Sequence, residues 1–292
     1  MLRVFLVKSS SINRECQIEI NWKYDPAKVE AYFDSYGEKE WVRLTKNPAG
    51  LVSFHIHQHY LKKYVRANDL VLEVGAGAGR FTIELARLNA VVTVGDISCE
   101  QLRLNQKYVA RYDCEAAIAS HLQLDIFDLS MLKTESFDIV VCYGGALSYV
   151  LEQADDALAE MLRVLKPNGY LLLSVMSLIG TTQAHFEDIT TIPNFPQLVN
   201  RVNSNGLLDS NNHIKMYRAN ELRLLLQNHH CEVVDMSASN CLSTNRQHRQ
   251  QFLEQMVTSD AWTDFLQWEL DFCAEDGCLD SGTHLIAIAQ KI

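Results

Sequence analysis

Val71-Leu72-Glu73-Val74-Gly75-Ala76-Gly77-Ala78-Gly79-Arg80-Phe81-Thr82 is the stretch that decides how this chain folds. An apolar, partly β-branched run carrying one acid gives way to three alternating glycines, and a helical pattern follows. Glycine allows positive φ and lets a ligand approach main-chain atoms that a Cβ would shield. The turn is therefore expected at the carboxyl end of a strand in an open α/β sheet, with a nucleotide-like ligand over it. Spacing separates two cofactor classes. The dinucleotide fingerprint, read from Gly75, needs its third glycine where this chain has Arg80. A nicotinamide oxidoreductase is the least favoured reading.

Further strands follow in sequence. Ala90-Val91-Val92-Thr93-Val94-Gly95-Asp96-Ile97-Ser98 is a second buried strand ending in an acid. A carboxylate there can accept both hydroxyls of a ribose, and Ile97 can cover one adenine face. Leu122-Gln123-Leu124-Asp125-Ile126 again ends on an acid, and Phe137 to Tyr143 is a fourth apolar strand leading to Gly144-Gly145. In Glu160 to Val175 a helix is expected to stop before Pro167, Gly169 to take a left-handed turn, and a fifth strand to follow.

These five segments, in this order over residues 70–176, resemble the motif series of the class I (Rossmann-like) S-adenosylmethionine-dependent methyltransferases. The segments Tyr36 to Leu44, Cys241 to Ser243 and Leu279 to Ala287, with Trp262, Glu269 and Cys273, resemble a pattern in uncharacterised bacterial members. The resemblance implies S-adenosylmethionine as cofactor and S-adenosylhomocysteine as product. It assigns the cofactor to Glu73, Gly75, Ala76, Gly77, Arg80, Asp96, Ile97, Asp125, Ile126 and Cys142, with Asp125 accepting from the adenine amino group. Cys142-Tyr143-Gly144-Gly145 departs from the Asn/Asp-Pro-Pro-aromatic signature of amide- and adenine-nitrogen methyltransferases. It also lacks the acid of metal-dependent catechol-type enzymes. Both subclasses are disfavoured.

Strand and helix patterns alternate through 70–75, 80–89, 91–96, 99–112, 121–125, 138–143, 152–166 and 170–176, then 219–229, 231–235 and 284–289. Such alternation predicts right-handed βαβ units. The fold expected is α/β: a doubly wound, mostly parallel seven-stranded sheet with helices on both faces. Residues 1–66 form an N-terminal arm and helical cap, with helices over 27–43 and 51–66. Residues 67–292 form the Rossmann-like domain, interrupted by insertions at 177–217 and 241–282. The first insertion, longer than an ordinary connection, is expected to be a lid or acceptor-binding element.

The composition excludes several classes. A formal net charge of −10, with lysines and arginines dispersed, lacks the basic stripe of a nucleic-acid binder. No apolar run is long enough to span a membrane, and the opening residues make no secretory h-region. The eight cysteines follow no C-x-x-C spacing, so reduced thiols, and hence the cytoplasm, are expected. The partner expected is a small-molecule acceptor, bound by a monomer or homodimer without nucleic acid or membrane.

Methyl transfer from a sulfonium needs alignment above all, and well-oriented reactants gain about 7–11 kcal/mol from proximity. A hydroxyl or amine acceptor also gives up a proton. His185, His213 and Tyr217 are the candidates for receiving it, because they lie in or beside the first insertion. Tyr36, Trp41 and Arg43 from the cap, with Tyr143, are the candidate acceptor-binding residues. No metal is expected: His55, His57 and His59 offer only an i, i+4 pair on a helix, and Cys241, Cys273, Cys278 and His284 match no zinc spacing. Packing is the default role of those side chains. The oxygen preference rests on family frequency. A peptide or protein methyltransferase and a catalytically silent cofactor-binding protein remain the alternatives.

Overall fold

The computed structural model describes residues 23–190, 199, 202–203, 206–208, 213–244 and 247–292. The arm before Lys23 and Pro193 and Pro196 of the first insertion lie outside the described residues. Seven strands form one sheet: β1 (Leu70–Val74), β2 (Val91–Asp96), β3 (Ile118–Gln123), β4 (Phe137–Cys142), β5 (Leu165–Met176), β8 (Cys231–Ala238) and β9 (His284–Lys291). A two-stranded ribbon, β6 (Leu207–Leu208) and β7 (Ile214–Lys215), stands apart. The sheet order is β3-β2-β1-β4-β5-β9-β8. The first five strands run parallel, whereas β9 pairs antiparallel with both β5 and β8. The strand order reverses between β1 and β4, where crossovers leave on opposite faces and a crevice opens beyond the strand ends.

Side-chain alternation sorts each strand between two cores. Leu72, Val74, Val140, Leu171, Leu173 and Ala287 face α7 (Ala154–Val164) and α10 (Ala219–Asn228). Val71, Val92, Val141, Leu172 and Ile286 face the other side. There they meet α3 (Pro48–Tyr64), α4 (Arg80–Arg87) and α12 (Ala261–Cys273). With both faces covered, the central strands read as continuous apolar runs, as buried parallel strands do.

The cap departs from its expected outline. In place of one helix over 27–43 there are α1 (Pro26–Tyr36) and α2 (Lys39–Arg43), parted at Gly37, whose φ of +50 ends the first. Asn47 accepts from the Gly50 amide as N-cap and Pro48 occupies the first turn, so this segment starts α3 instead of only breaking the chain. After α7, Asn168 and not Gly169 adopts the left-handed conformation, with φ +61. Gly169 is required for closeness: a Cβ there would lie 2.7 Å from the Asp138 carbonyl oxygen. Further described helices are α5 (Cys99–Arg111), α6 (Ala146–Tyr149), α8 (Leu178–Ala184), α9 (Phe186–Thr190) and α11 (Gln247–Met256).

Candidate active site

The glycine loop leaves β1 and turns into α4 with Gly75, Gly77 and Gly79 all at positive φ. Two of these glycines also sit close to side chains of other elements. A Cβ on Gly75 would lie 2.7 Å from that of Ala146, and one on Gly77 would lie 3.1 Å from Glu40 Cγ. Hydrogen bonds fix the loop from three sides. The Gly77 amide donates to Asp96 Oδ2 at 2.8 Å, and the Ser98 amide donates to Asp96 Oδ1 at 2.8 Å. Asn105 donates to the Gly77 carbonyl and to Thr82 Oγ1, which in turn donates to Glu73 Oε2 at 2.6 Å.

Above the loop, at the carboxyl edge of the sheet, opens a cleft with about 840 Å³ of empty space including its mouth. Asp96, Ile97, Leu124, Asp125 and Ile126 line one end; Gly75, Ala76, Arg80, Tyr143, Gly144 and Tyr149 line the rest. The cap closes it with Tyr24, Val29, Phe33, Glu40, Arg43 and Leu44. Arg43 Nε donates to both Glu40 oxygens at 2.9 Å, so the two charges enter the cleft as a pair. Tyr24 donates its hydroxyl to Asp125 Oδ2 at 2.6 Å, and the Phe127 amide donates to Oδ1.

Burial dominates the electrostatics. It raises the Asp96 carboxyl to about 6, against the pull of its two amide donors, which leaves it largely ionised at neutral pH and a strong acceptor. Glu73, with Thr82 as its hydroxyl donor, is raised to about 8 by the same cause and holds its proton at neutral pH. Burial lifts the Tyr143 phenol well above its ordinary range, and likewise Tyr149.

The expected residues divide accordingly. Gly75, Ala76, Arg80, Asp96, Ile97, Asp125, Ile126, Arg43 and Tyr143 converge on the cleft. Glu73, Gly77 and Cys142 stand behind its wall: Glu73 faces Thr82, Gly77 holds Asp96, and Cys142 is fully buried in the sheet. Asp125 lies two residues beyond β3, not at its last position, in an isolated bridge with Asp128. Arg80 spends its guanidinium on the cap, stacked 3.7 Å from the Trp41 ring and donating to the Trp41 carbonyl and Thr45. Trp41 itself packs on Tyr108, and Tyr36 on Tyr32, neither lining the cleft.

None of the three candidate bases is among the lining residues. His185 is an exposed residue between α8 and α9. His213 approaches Lys28 of α1 with 3.4 Å between Nε2 and Nζ. Tyr217 is buried beneath the insertion, bridged to Ser177. The start of the first insertion, Ser177 to Thr181, is tied to Thr283 just before β9, while the cap covers the cleft. Sequence reasoning missed Tyr24, Phe33, Glu40 and Tyr149. Only Gly37, as a helix stop that re-aims Glu40, signalled any of them. Among the described residues no group of three His, Cys, Asp or Glu is placed to hold a metal, and no helix is long and apolar enough to cross a membrane.

Residues 72–173 match the family model described as a methyltransferase domain. The chain is 35% identical over 119 residues to a ubiquinone biosynthesis O-methyltransferase of Xanthomonas oryzae pv. oryzae, covering 38% of this chain and 44% of that one. It is 32% identical over 132 residues to a ubiquinone/menaquinone biosynthesis C-methyltransferase of Proteus mirabilis, covering 42% and 51%. It thus spans about half the length of the curated relatives it matches. A solved structure of Burkholderia thailandensis 1,6-didemethyltoxoflavin-N1-methyltransferase, with 1,6-didemethyltoxoflavin and S-adenosylhomocysteine bound, is similar in fold. Its TM-score is 0.55 at 17% identity, over 91% of this chain and 88% of that one.

Proposed function

We propose that this chain, whose residues 72–173 match a methyltransferase domain, is a Rossmann-like S-adenosylmethionine-dependent methyltransferase that transfers the methyl group to a small-molecule acceptor, at oxygen, without a metal. The observation that carries the reading is the placement of Asp96 and Asp125 on one end of the cleft, beside the glycine turn. Asp96, ionised and already oriented by two amides, receives the ribose hydroxyls; Asp125 receives the adenine amino group in exchange for the Tyr24 hydroxyl; Ile97 and Ile126 cover the ring. The methionine end then lies over Gly75 and Ala76, with Arg43 and Glu40 above it. The wall of Phe33, Tyr143 and Tyr149 suits a small acceptor better than a peptide.

Held by Asp96, Asp125 and the glycine turn, S-adenosylmethionine would supply a methyl group on a positive sulfur; an acceptor oxygen would take that methyl, the sulfur would keep the bonding pair, and the oxygen's proton would pass to solvent. The positive sulfur supplies the activation; the protein aligns the three atoms and excludes water. Oxygen is proposed over carbon on the Xanthomonas relative, the more identical of the two. The scattered cysteines support a cytoplasmic setting, as a monomer or homodimer.

The test is titration of S-adenosylhomocysteine by calorimetry. Asp96→Ala removes two ribose contacts and the anchor of the Gly77 amide, so affinity is expected to fall at least tenfold. Unchanged affinity would refute the assignment.

A further inference from the structure

Behind the cleft lies a pair of buried polar atoms that the cofactor reading leaves unused. His57 of α3 and Tyr143 at the end of β4 are 2% and 4% exposed. His57 Nε2 and the Tyr143 hydroxyl have no hydrogen-bond partner among the described residues. Such groups are costly in a native interior unless something satisfies them. Their rings meet edge to face with centroids 4.7 Å apart, and His57 also packs on Phe81. Tyr143 and Phe81 both line the cleft, next to Gly144 and Arg43.

The imidazole tautomer follows from its other partner. His57 Nδ1 lies 2.7 Å from the Ser53 carbonyl oxygen, which only accepts, so Nδ1 carries the hydrogen and Nε2 presents a lone pair. Burial lowers this imidazole to about 4, keeping it neutral. His284 is different: its ring is engaged by the Gly144 backbone and lies near the Thr283 hydroxyl.

We propose that His57 and Tyr143 form the subsite that receives an un-ionised hydroxyl of the methyl acceptor. The inference rests on the methyltransferase reading above and names its substrate class. A hydroxyl donates to Nε2 and accepts from the tyrosine; a carboxylate brings no hydrogen for Nε2, and an ammonium brings no lone pair for the phenol. Arg43 is paired with Glu40. His57 does not itself line the cleft, so the proposal requires the ring of Phe81 or Tyr143, both lining residues packed on the imidazole, to swing aside.

Benzyl alcohol, benzoate and benzylammonium, titrated into protein saturated with S-adenosylhomocysteine, distinguish the chemistries. The alcohol is expected to bind at least tenfold tighter than either ion, and to shift the ¹⁵N resonance of His57 Nε2. Tyr143→Phe and His57→Phe are expected to lose that tenfold while binding S-adenosylhomocysteine within twofold of the parent. Should His57→Phe fail to fold, Tyr143→Phe and the resonance in the parent protein decide. Equal binding of the three probes, or alcohol binding that leaves the resonance unmoved, overturns the subsite alone. Failure of the parent to bind S-adenosylhomocysteine overturns the methyltransferase reading and the subsite with it.

Discussion

Replacing Glu73 by glutamine isolates the energetics of one buried carboxyl at the root of the glycine loop. Glu73 is 2% exposed, accepts from Thr82, and holds its proton up to about pH 8, against 4.5 in an open chain. Below pH 4.5 the carboxyl is neutral in both states, and its contribution is fully present. As pH rises, the unfolded chain ionises first while the fold keeps the proton, so stability declines until the folded carboxyl titrates near 8. The gap between the two values corresponds to about 3–5 kcal/mol. Glutamine cannot titrate, so Glu73→Gln is free of this decline; any mismatch of its amide shifts the whole curve without changing its slope. Asp96 titrates in both proteins, and its repulsion of Glu73 is a small part of the measured gap. Urea unfolding at pH 5 and pH 8.5 measures the difference. The parent is expected to lose about 3–5 kcal/mol more than the variant across that interval. Parallel pH dependences would refute the reasoning.

Three further substitutions test other parts of the fold by urea denaturation. Gly180→Ala places a Cβ 1.7 Å from the Gly282 carbonyl oxygen, which forces α8 off its seat and is expected to cost about 3 kcal/mol. Trp41→Ala removes the ring sandwiched by Arg80 and Tyr108, with an expected loss of about 3–5 kcal/mol. Glu269→Gln replaces a fully buried carboxylate that accepts the amides of Cys241, Leu242 and Ser243 with a group having one acceptor oxygen. About 2–3 kcal/mol is the expected cost. No change in midpoint would remove the role assigned to each.

The sheet was legible because its strands are buried on both faces, so Val71–Val74, Val91–Val94 and Ile139–Val141 stand out as apolar runs with glycine or acid at their ends. Asp96 was legible for the same reason: a polar residue ending such a run has few places to go. The cap was harder. Its helices announce themselves by periodicity, but their angle over the cleft depends on the break at Gly37 and the stacking of Trp41 on Tyr108, a contact between residues far apart in sequence. The candidate bases were harder for a related reason. Membership of an insertion gave His185 and Tyr217 a place in the chain but not a direction, and neither lines the cleft. His57 shows the converse, since its helical register allowed burial while only the Ser53 carbonyl reveals which ring nitrogen is left over.

The position of β9 between β5 and β8 has a consequence for how the molecule is made. Along the rim of β5, the main-chain groups from Tyr170 to Met176 stay open until the whole stretch from Ser177 to Thr283 has been synthesised and His284–Gln290 arrives to pair with them. Cys231–Ala238 waits for the same late partner. During translation the ribosome-bound chain therefore carries two sticky, valine- and leucine-bearing rims at once. Until β9 pairs, these open rims are exposed to edge-to-edge association.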